Sequence, residues 1–263
     1  MDGNIAPLIQ SFQQYAESFA EPGKALAFAH RLKLEHTMEV LDFAENIMAR
    51  EKITDPRQIF TGQLTALFHD LARFRQYRQY RTFRDNAEFN HGHQAADMLE
   101  KEHWLDSVPA DIREAVIAAV RIHNARELPD DLPAFALFPA KLVRDADKLS
   151  IYHVVLDYFQ HREAYQKDPA VSLELPETPE IDRALIARIR QGKSGDYRQL
   201  TSVNSFLINL FSWVYDLNFT ASCRMAAEQN IYPQIRKLLP PDDELDELCC
   251  LACQHAENAV KKL

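Results

Sequence analysis

Leu64-Thr65-Ala66-Leu67-Phe68-His69-Asp70-Leu71 is an apolar run at helical spacing that ends in two adjacent residues of strongly metal-binding type. A solvated loop has no need of that apolar context. Working outward, His36 lies upstream in Leu34-Glu35-His36-Thr37-Met38, His91 and His123 lie downstream, and Asp147 closes the series in Val143-Arg144-Asp145-Ala146-Asp147-Lys148-Leu149. His36 shares a helical stripe with Val40, Phe43 and Ile47, while Leu34, Met38, Leu41 and Met48 occupy the opposite face, so this helix is expected at the centre of the fold. His123 completes the stripe Ile112, Val116, Ala119, and Asp147 shares one with Val143, Ser150 and Val154. One histidine on an apolar stripe is ordinarily a hydrogen-bonded core residue. Several of them around a His-Asp doublet point instead to a metal.

The chain has 263 residues, 46% of them hydrophobic, enough for one large domain or a domain with a helical extension. Six glycines, few hairpin signals and many apolar spacings of three and four predict an all-α protein. A net charge of -9 argues against a general nucleic-acid coat, although a local basic patch can still bind an anion. The stretch Met1–Pro7 has no basic n-region, and no apolar run approaches the ~18 residues of a membrane span, so the expectation is a cytoplasmic protein without a membrane partner. Four cysteines, three of them clustered at 249, 250 and 253, do not form a disulfide framework. Cys250 and Cys253 make a lone CxxC with only His255 nearby, which reads as packing on a last helix.

Residues 1–24 read as a helical segment ended by Glu21-Pro22-Gly23, residues 25–165 as the motif-bearing domain, and 166–263 as a C-terminal helical extension packed on that core. Asp55-Pro56 separates the His36 helix from the His69 helix. Lys167 through Pro179 reads as a linker or surface excursion, and Gly192-Lys193-Ser194-Gly195 as a turn, because it lacks the order of a nucleotide P-loop. Helices are expected at Ile181–Arg190, Ser205–Phe219, Ala221–Leu238 and Glu244–Lys262.

Read in order, the motif is H…HD…H…H…D, which resembles the HD superfamily of metal-dependent phosphohydrolases, including the two extra histidines of its dinuclear branch. The resemblance covers about residues 30–155 and implies an HD-domain helical bundle with additional C-terminal helices. It implies that His36, His69, Asp70 and Asp147 hold one metal, that His91 and His123 supply a second, and that Asp70 bridges them. Asp147 is preferred to Asp145 because Ala146-Asp147-Lys148-Leu149 matches the family's last aspartate; Asp145 is then left beside the site or at the surface. In His91-Gly92-His93 the family pattern favours His91, and His93 stays open as the ligand or a substrate contact. His30, His103, His153 and His161 lack the motif context. Imidazole and carboxylate ligands suit one or two divalent ions among Mn, Fe, Co, Ni and Zn, with Mg less suited. The chemistry implied is attack of metal-activated water on a small phosphorylated substrate, a nucleotide, a sugar phosphate or a phosphodiester.

Directly after the doublet come four aromatic-Arg-x units, Phe74-Arg75-Gln76 to Phe83-Arg84-Asp85, which with Arg73 gather five arginines. They read either as a solvated face with its aromatics packed inward, part of it loop because a period of three drifts on an α-helix, or as a phosphate grip. Arg73 is the first expected substrate contact, joined by at least one of Arg75, Arg78 and Arg81, and Lys148 is the second. Residues 170–263 carry no recognised motif, and a homo-oligomer is left open. The competing readings are a di-iron oxygenase of the same ligand order and a catalytically silent nucleotide-binding module.

Overall fold

Every regular element among the described residues is helical, as expected from the glycine-poor sequence and its three-four apolar spacing. The structure is a computed structural model and describes residues 3–86, 88–161, 163 and 169–261. In chain order the helices are α1 (Ala6–Glu17), α2 (Phe28–Arg50), α3 (Pro56–Phe68), α4 (Arg73–Tyr80), α5 (His91–Lys101), α6 (Ala110–Ile122), α7 (Ala134–Gln160), α8 (Pro169–Ser172), α9 (Arg183–Arg190), α10 (Val203–Ser212), α11 (Thr220–Glu228), α12 (Ile231–Leu238) and α13 (Asp243–Lys261). Two compact units divide the chain at residue 150, inside α7, and all six motif residues lie in the first. No described helix is long and apolar enough to cross a membrane.

In the first unit, α3 starts where Asp55 accepts a hydrogen bond from the Arg57 N–H and Pro56 takes the first helical position, where its missing N–H costs nothing. Its apolar face then runs through Leu64, Leu67 and Phe68 into a core shared with α1, α5 and α6, where Phe12 meets the rings of Phe68 and Phe74 edge-on. Gly62 lets α3 approach closely, since a β-carbon there would lie 2.5 Å from Leu142 and 3.0 Å from the Met48 sulfur. α2 is buried on several faces, as its two apolar stripes require. α4 keeps the first aromatic-Arg units helical, but Arg81 turns left-handed at φ 58° and Phe83 falls in irregular chain. The period-three drift is thus resolved by ending the helix.

In the second unit, Ser202 and Ser205 form a reciprocal capping box that starts α10, two residues before the expected point. α10 tightens into a 3-10 turn at Trp213–Asp216 and stops short of Phe219. The single helix expected over Ala221–Leu238 is two helices instead: Asn230 adopts φ 51°, which breaks the ladder, and Pro233 fits the first turn of α12. Gly192 ends α9 at φ 73°, as a turn requires. Met1, Asp2, Lys167, Asp168 and Lys262, to which the expectations also extended, lie outside the described residues.

Candidate metal centre

Five of the six motif residues come from two kinds of position, and Asp70 lies in the turn after α3. His36 and Asp147 sit within the long helices α2 and α7, whereas His69 and His123 are the residues at which α3 and α6 end, and His91 opens α5. Helix ends explain how imidazoles are held rigidly. The Nδ1–H of His69 donates to the Ala66 carbonyl at 2.8 Å, and that of His123 donates to the Val120 carbonyl at 2.8 Å, each using an acceptor in the last turn of its helix. Asn90 caps α5 by accepting from the His93 N–H, which fixes His91 on the first turn.

The other two imidazoles are anchored through the same atom. The Nδ1–H of His91 donates to Asp85 at 2.6 Å, and Asn124 donates to both Asp85 and Asn90. Ser150 donates its hydroxyl to Glu39 at 2.6 Å and therefore accepts from the Nδ1–H of His36 at 2.9 Å. Partners thus assign the proton to Nδ1 in all four rings and leave each Nε2 lone pair as an acceptor, that of His91 already facing the Arg73 Nη2 at 3.3 Å.

Those lone pairs converge. His36 Nε2 lies 3.1 Å from an Asp147 oxygen and His69 Nε2 lies 3.8 Å from it; both are 3.6 Å from Asp70 Oδ2. On the other side of the same carboxylate, Asp70 Oδ1 is 3.5 Å from His91 Nε2 and 4.0 Å from His123 Nε2. His36, His69 and Asp147 form one group able to hold a metal, and Asp70, His91 and His123 form a second. Two observations test whether a cation fits. His36 Nε2 and His69 Nε2 are buried with no hydrogen-bond partner, and His91 Nε2 faces His123 Nε2 at 3.0 Å, two lone pairs whose repulsion a cation relieves, with only the Arg73 Nη2–H, 3.3 Å from His91 Nε2, beside them. Nitrogen and oxygen ligands about 2.1 Å from a metal stand about 3.0–3.4 Å apart, so the observed spacings need only small adjustments. The donor set and its geometry fit a divalent ion in each group.

The HD domain family model matches residues 34–160, which span every one of these side chains. This chain carries an HD domain. No curated protein and no solved structure matches the chain. The family belongs to a superfamily of metal-dependent hydrolases whose members bind divalent metals.

Two cations flank the shared carboxylate of the HD domain. Lys33 Nζ donates to Asp70 Oδ2 at 2.8 Å, and Arg73 Nε donates to Asp70 Oδ1 at 3.3 Å. Burial alone would raise the Asp70 pKa, but Lys33, His69, Arg73 and His91 outweigh it and hold the carboxyl well below its ordinary range. Asp147 and Asp85 are likewise lowered against burial, Asp147 by His36 and His69 and Asp85 by His91 and Arg73. Burial pushes His69, His91 and His123 down, aided at His91 by Arg73, and His123 falls to about 3 beside His91 and His69. Neutral imidazoles facing ionised carboxylates are the protonation state a metal needs.

Gly92 explains the His-Gly pair. A β-carbon there would lie 2.8 Å from Asn124 Oδ1 and 3.1 Å from the Arg121 and Val120 carbonyls, so only glycine lets the start of α5 seat against the end of α6 and bring His91 to His123.

His93 is exposed and stands outside both groups, and Asp145 is fully buried, which excludes the surface position left open for it. His30 is a core residue whose Nε2–H donates to the Phe74 carbonyl. Lys148 Nζ donates to the Arg144 carbonyl on its own helix and is in neither group. Arg73 is largely committed, donating also to Gln76, Phe83, Asp85 and His91. Arg75 forms a bidentate pair with Glu102, and Arg78 stacks on Phe19 at 4.3 Å, so these two hold α4 to its neighbours. Cys249 and Cys253 are half-buried, Cys250 is exposed, and none joins a metal group among the described residues. Lys33, Asp85, Asn124 and Glu39 were missed by motif reasoning. Lys33 alone left a sequence signal, one helical turn before His36 on the same face.

Proposed function

We propose that the HD domain hydrolyses a small phosphorylated substrate with one or two divalent transition metals. One position is assigned to His36, His69, Asp147 and Asp70 Oδ2, and the other to His91, His123 and Asp70 Oδ1, so that Asp70 joins them. When bound, such ions polarise a phosphoryl oxygen and lower the pKa of bound water toward ~7. The ligand set, all imidazole and carboxylate, favours Mn, Fe, Co, Ni or Zn over Mg.

The protein's own part is positional. Ser150, Asp85 and two helix-end carbonyls fix four imidazoles in one tautomer, and Arg73 braces Asp70, Asp85 and His91 while keeping an Nη2 hydrogen for an incoming anion. The single observation carrying this reading is the pair of ligand groups on opposite oxygens of Asp70. With a net charge of -9, a small phosphorylated molecule is a better partner than a long polyanion.

The test is elemental analysis of protein purified without chelator, followed by a phosphate-release screen over nucleotides, sugar phosphates and phosphodiesters with each metal. Metal-dependent release that disappears in Asp70→Ala together with the metal is the expected result. Full activity and metal content in Asp70→Ala refute it. Product formation that needs iron and oxygen and releases no phosphate would favour the oxygenase chemistry instead.

A further inference from the structure

We infer that Lys33 is the principal protein contact for the phosphoryl anion, a role resting on the hydrolase reading above. Its side chain is only 14% exposed, and among the described residues its ammonium has one protein acceptor, Asp70 Oδ2, which leaves two N–H groups unpaired. Arg73, on the other oxygen of the same carboxylate, is 13% exposed and already serves five acceptors. The two cations share one ring: Lys33 Nζ lies 5.2 Å and the Arg73 guanidinium 5.9 Å from the centroid of Phe83, which is itself buried.

This arrangement over-commits one carboxylate. Asp70 carries a single negative charge, faces two cationic side chains, and offers an oxygen to each ligand group. Once its charge is drawn toward metal, the nearly buried Lys33 ammonium lacks a counter-charge, which a low-dielectric site tolerates poorly. An anion seated beside Asp70 Oδ2 supplies it and takes the two free N–H groups. Oδ2 is also the oxygen 3.6 Å from both His36 and His69, so an anion held there stands next to the first ligand group. Among the cations near the site, Lys33 has the donors to spare.

The experiment is calorimetric titration of inorganic phosphate into manganese-loaded protein, with metal content measured on each sample. Lys33→Met is expected to weaken phosphate binding by about tenfold or more, the loss of a charge-assisted hydrogen bond, with metal content as in wild type, and Lys33→Arg to restore most of it. Phosphate affinity unchanged in metal-loaded Lys33→Met, or no phosphate binding by loaded wild type, overturns the inference. A phosphate-soaked crystal of wild type decides the matter should Lys33→Met fail to fold or to hold metal. Lys33 Nζ within hydrogen-bond distance of a phosphate oxygen supports the assignment, and a bound phosphate out of its reach refutes it. Phosphate release from esters is scored separately, so the hydrolase reading can stand when this assignment falls, or fall when phosphate still binds through Lys33.

Discussion

Gly92→Ala offers a prediction whose sign separates two physical causes. Gly92 is the second residue of α5 and its φ is not positive, so alanine can adopt its backbone; on helix propensity alone the exchange would stabilise the protein by about 0.5–1 kcal/mol. The packing argues the other way. The added β-carbon would meet Asn124 Oδ1 at 2.8 Å and two α6 carbonyls at 3.1 Å, and the carbonyls are backbone that cannot rotate aside. Overpacking of this kind costs about 1–3 kcal/mol, a fall of roughly 2–12 °C in Tm for a chain of this size. Whichever side yields, the second ligand group is disturbed: moving α5 carries His91 away from His123, and moving Asn124 loosens its hold on Asp85, the acceptor for His91. Thermal melts and elemental analysis of metal-saturated protein are therefore expected to show a lower Tm and metal falling from two equivalents toward one. A higher Tm with undiminished metal would refute the claim that glycine is required for this helix contact.

Three further outcomes follow from the hydrogen bonds around the site. Ser150→Ala removes the acceptor that holds His36 Nδ1 and is expected to weaken metal affinity about 10–100-fold in competition with a chelator, with little change in the far-UV spectrum. Arg75→Ala is expected to leave phosphatase activity and metal content near wild type, because it breaks an exposed pair with Glu102 worth less than ~1 kcal/mol and a contact with the Tyr15 ring, both away from the ligand groups; a collapse in kcat/KM would restore Arg75 as a substrate contact. Metal-free protein is expected to lose stability as pH falls from 7.5 to 5. His69, His91 and His123 have folded pKa values below the unfolded value, so below ~6.5 the unfolded chain takes up protons that the native state refuses, while the lowered carboxylates Asp70, Asp85 and Asp147 lose their contribution only below ~4. Melts in chelator that are flat across that range would contradict the burial of neutral imidazoles.

The helical architecture was legible because apolar spacing speaks directly to α-helix, and the His-Asp doublet drew attention to residues that the fold brings within a few ångströms of one another. The break at Asn230 was not legible, since a left-handed residue between two apolar segments leaves a nearly unbroken helical pattern. The arginine-rich segment left two readings open for a different reason: proximity in sequence to the doublet does not say which way α4 faces, and Arg75 and Arg78 turn to Glu102 and Phe19. Asp85, Asn124 and Glu39 are ordinary polar residues whose roles exist only through tertiary hydrogen bonds. Lys33 stands between these cases, on the His36 face at i−3, where spacing indicates the helix side but not the carboxylate it meets.

Anomalous diffraction from a crystal soaked in manganese tests the central claim most directly. Two peaks are expected about 3.5–4 Å apart, one among His36, His69 and Asp147 and the other between His91 and His123, with one oxygen of Asp70 toward each. Peaks elsewhere, or none with His36 and His69 Nε2 still unpartnered, would contradict it.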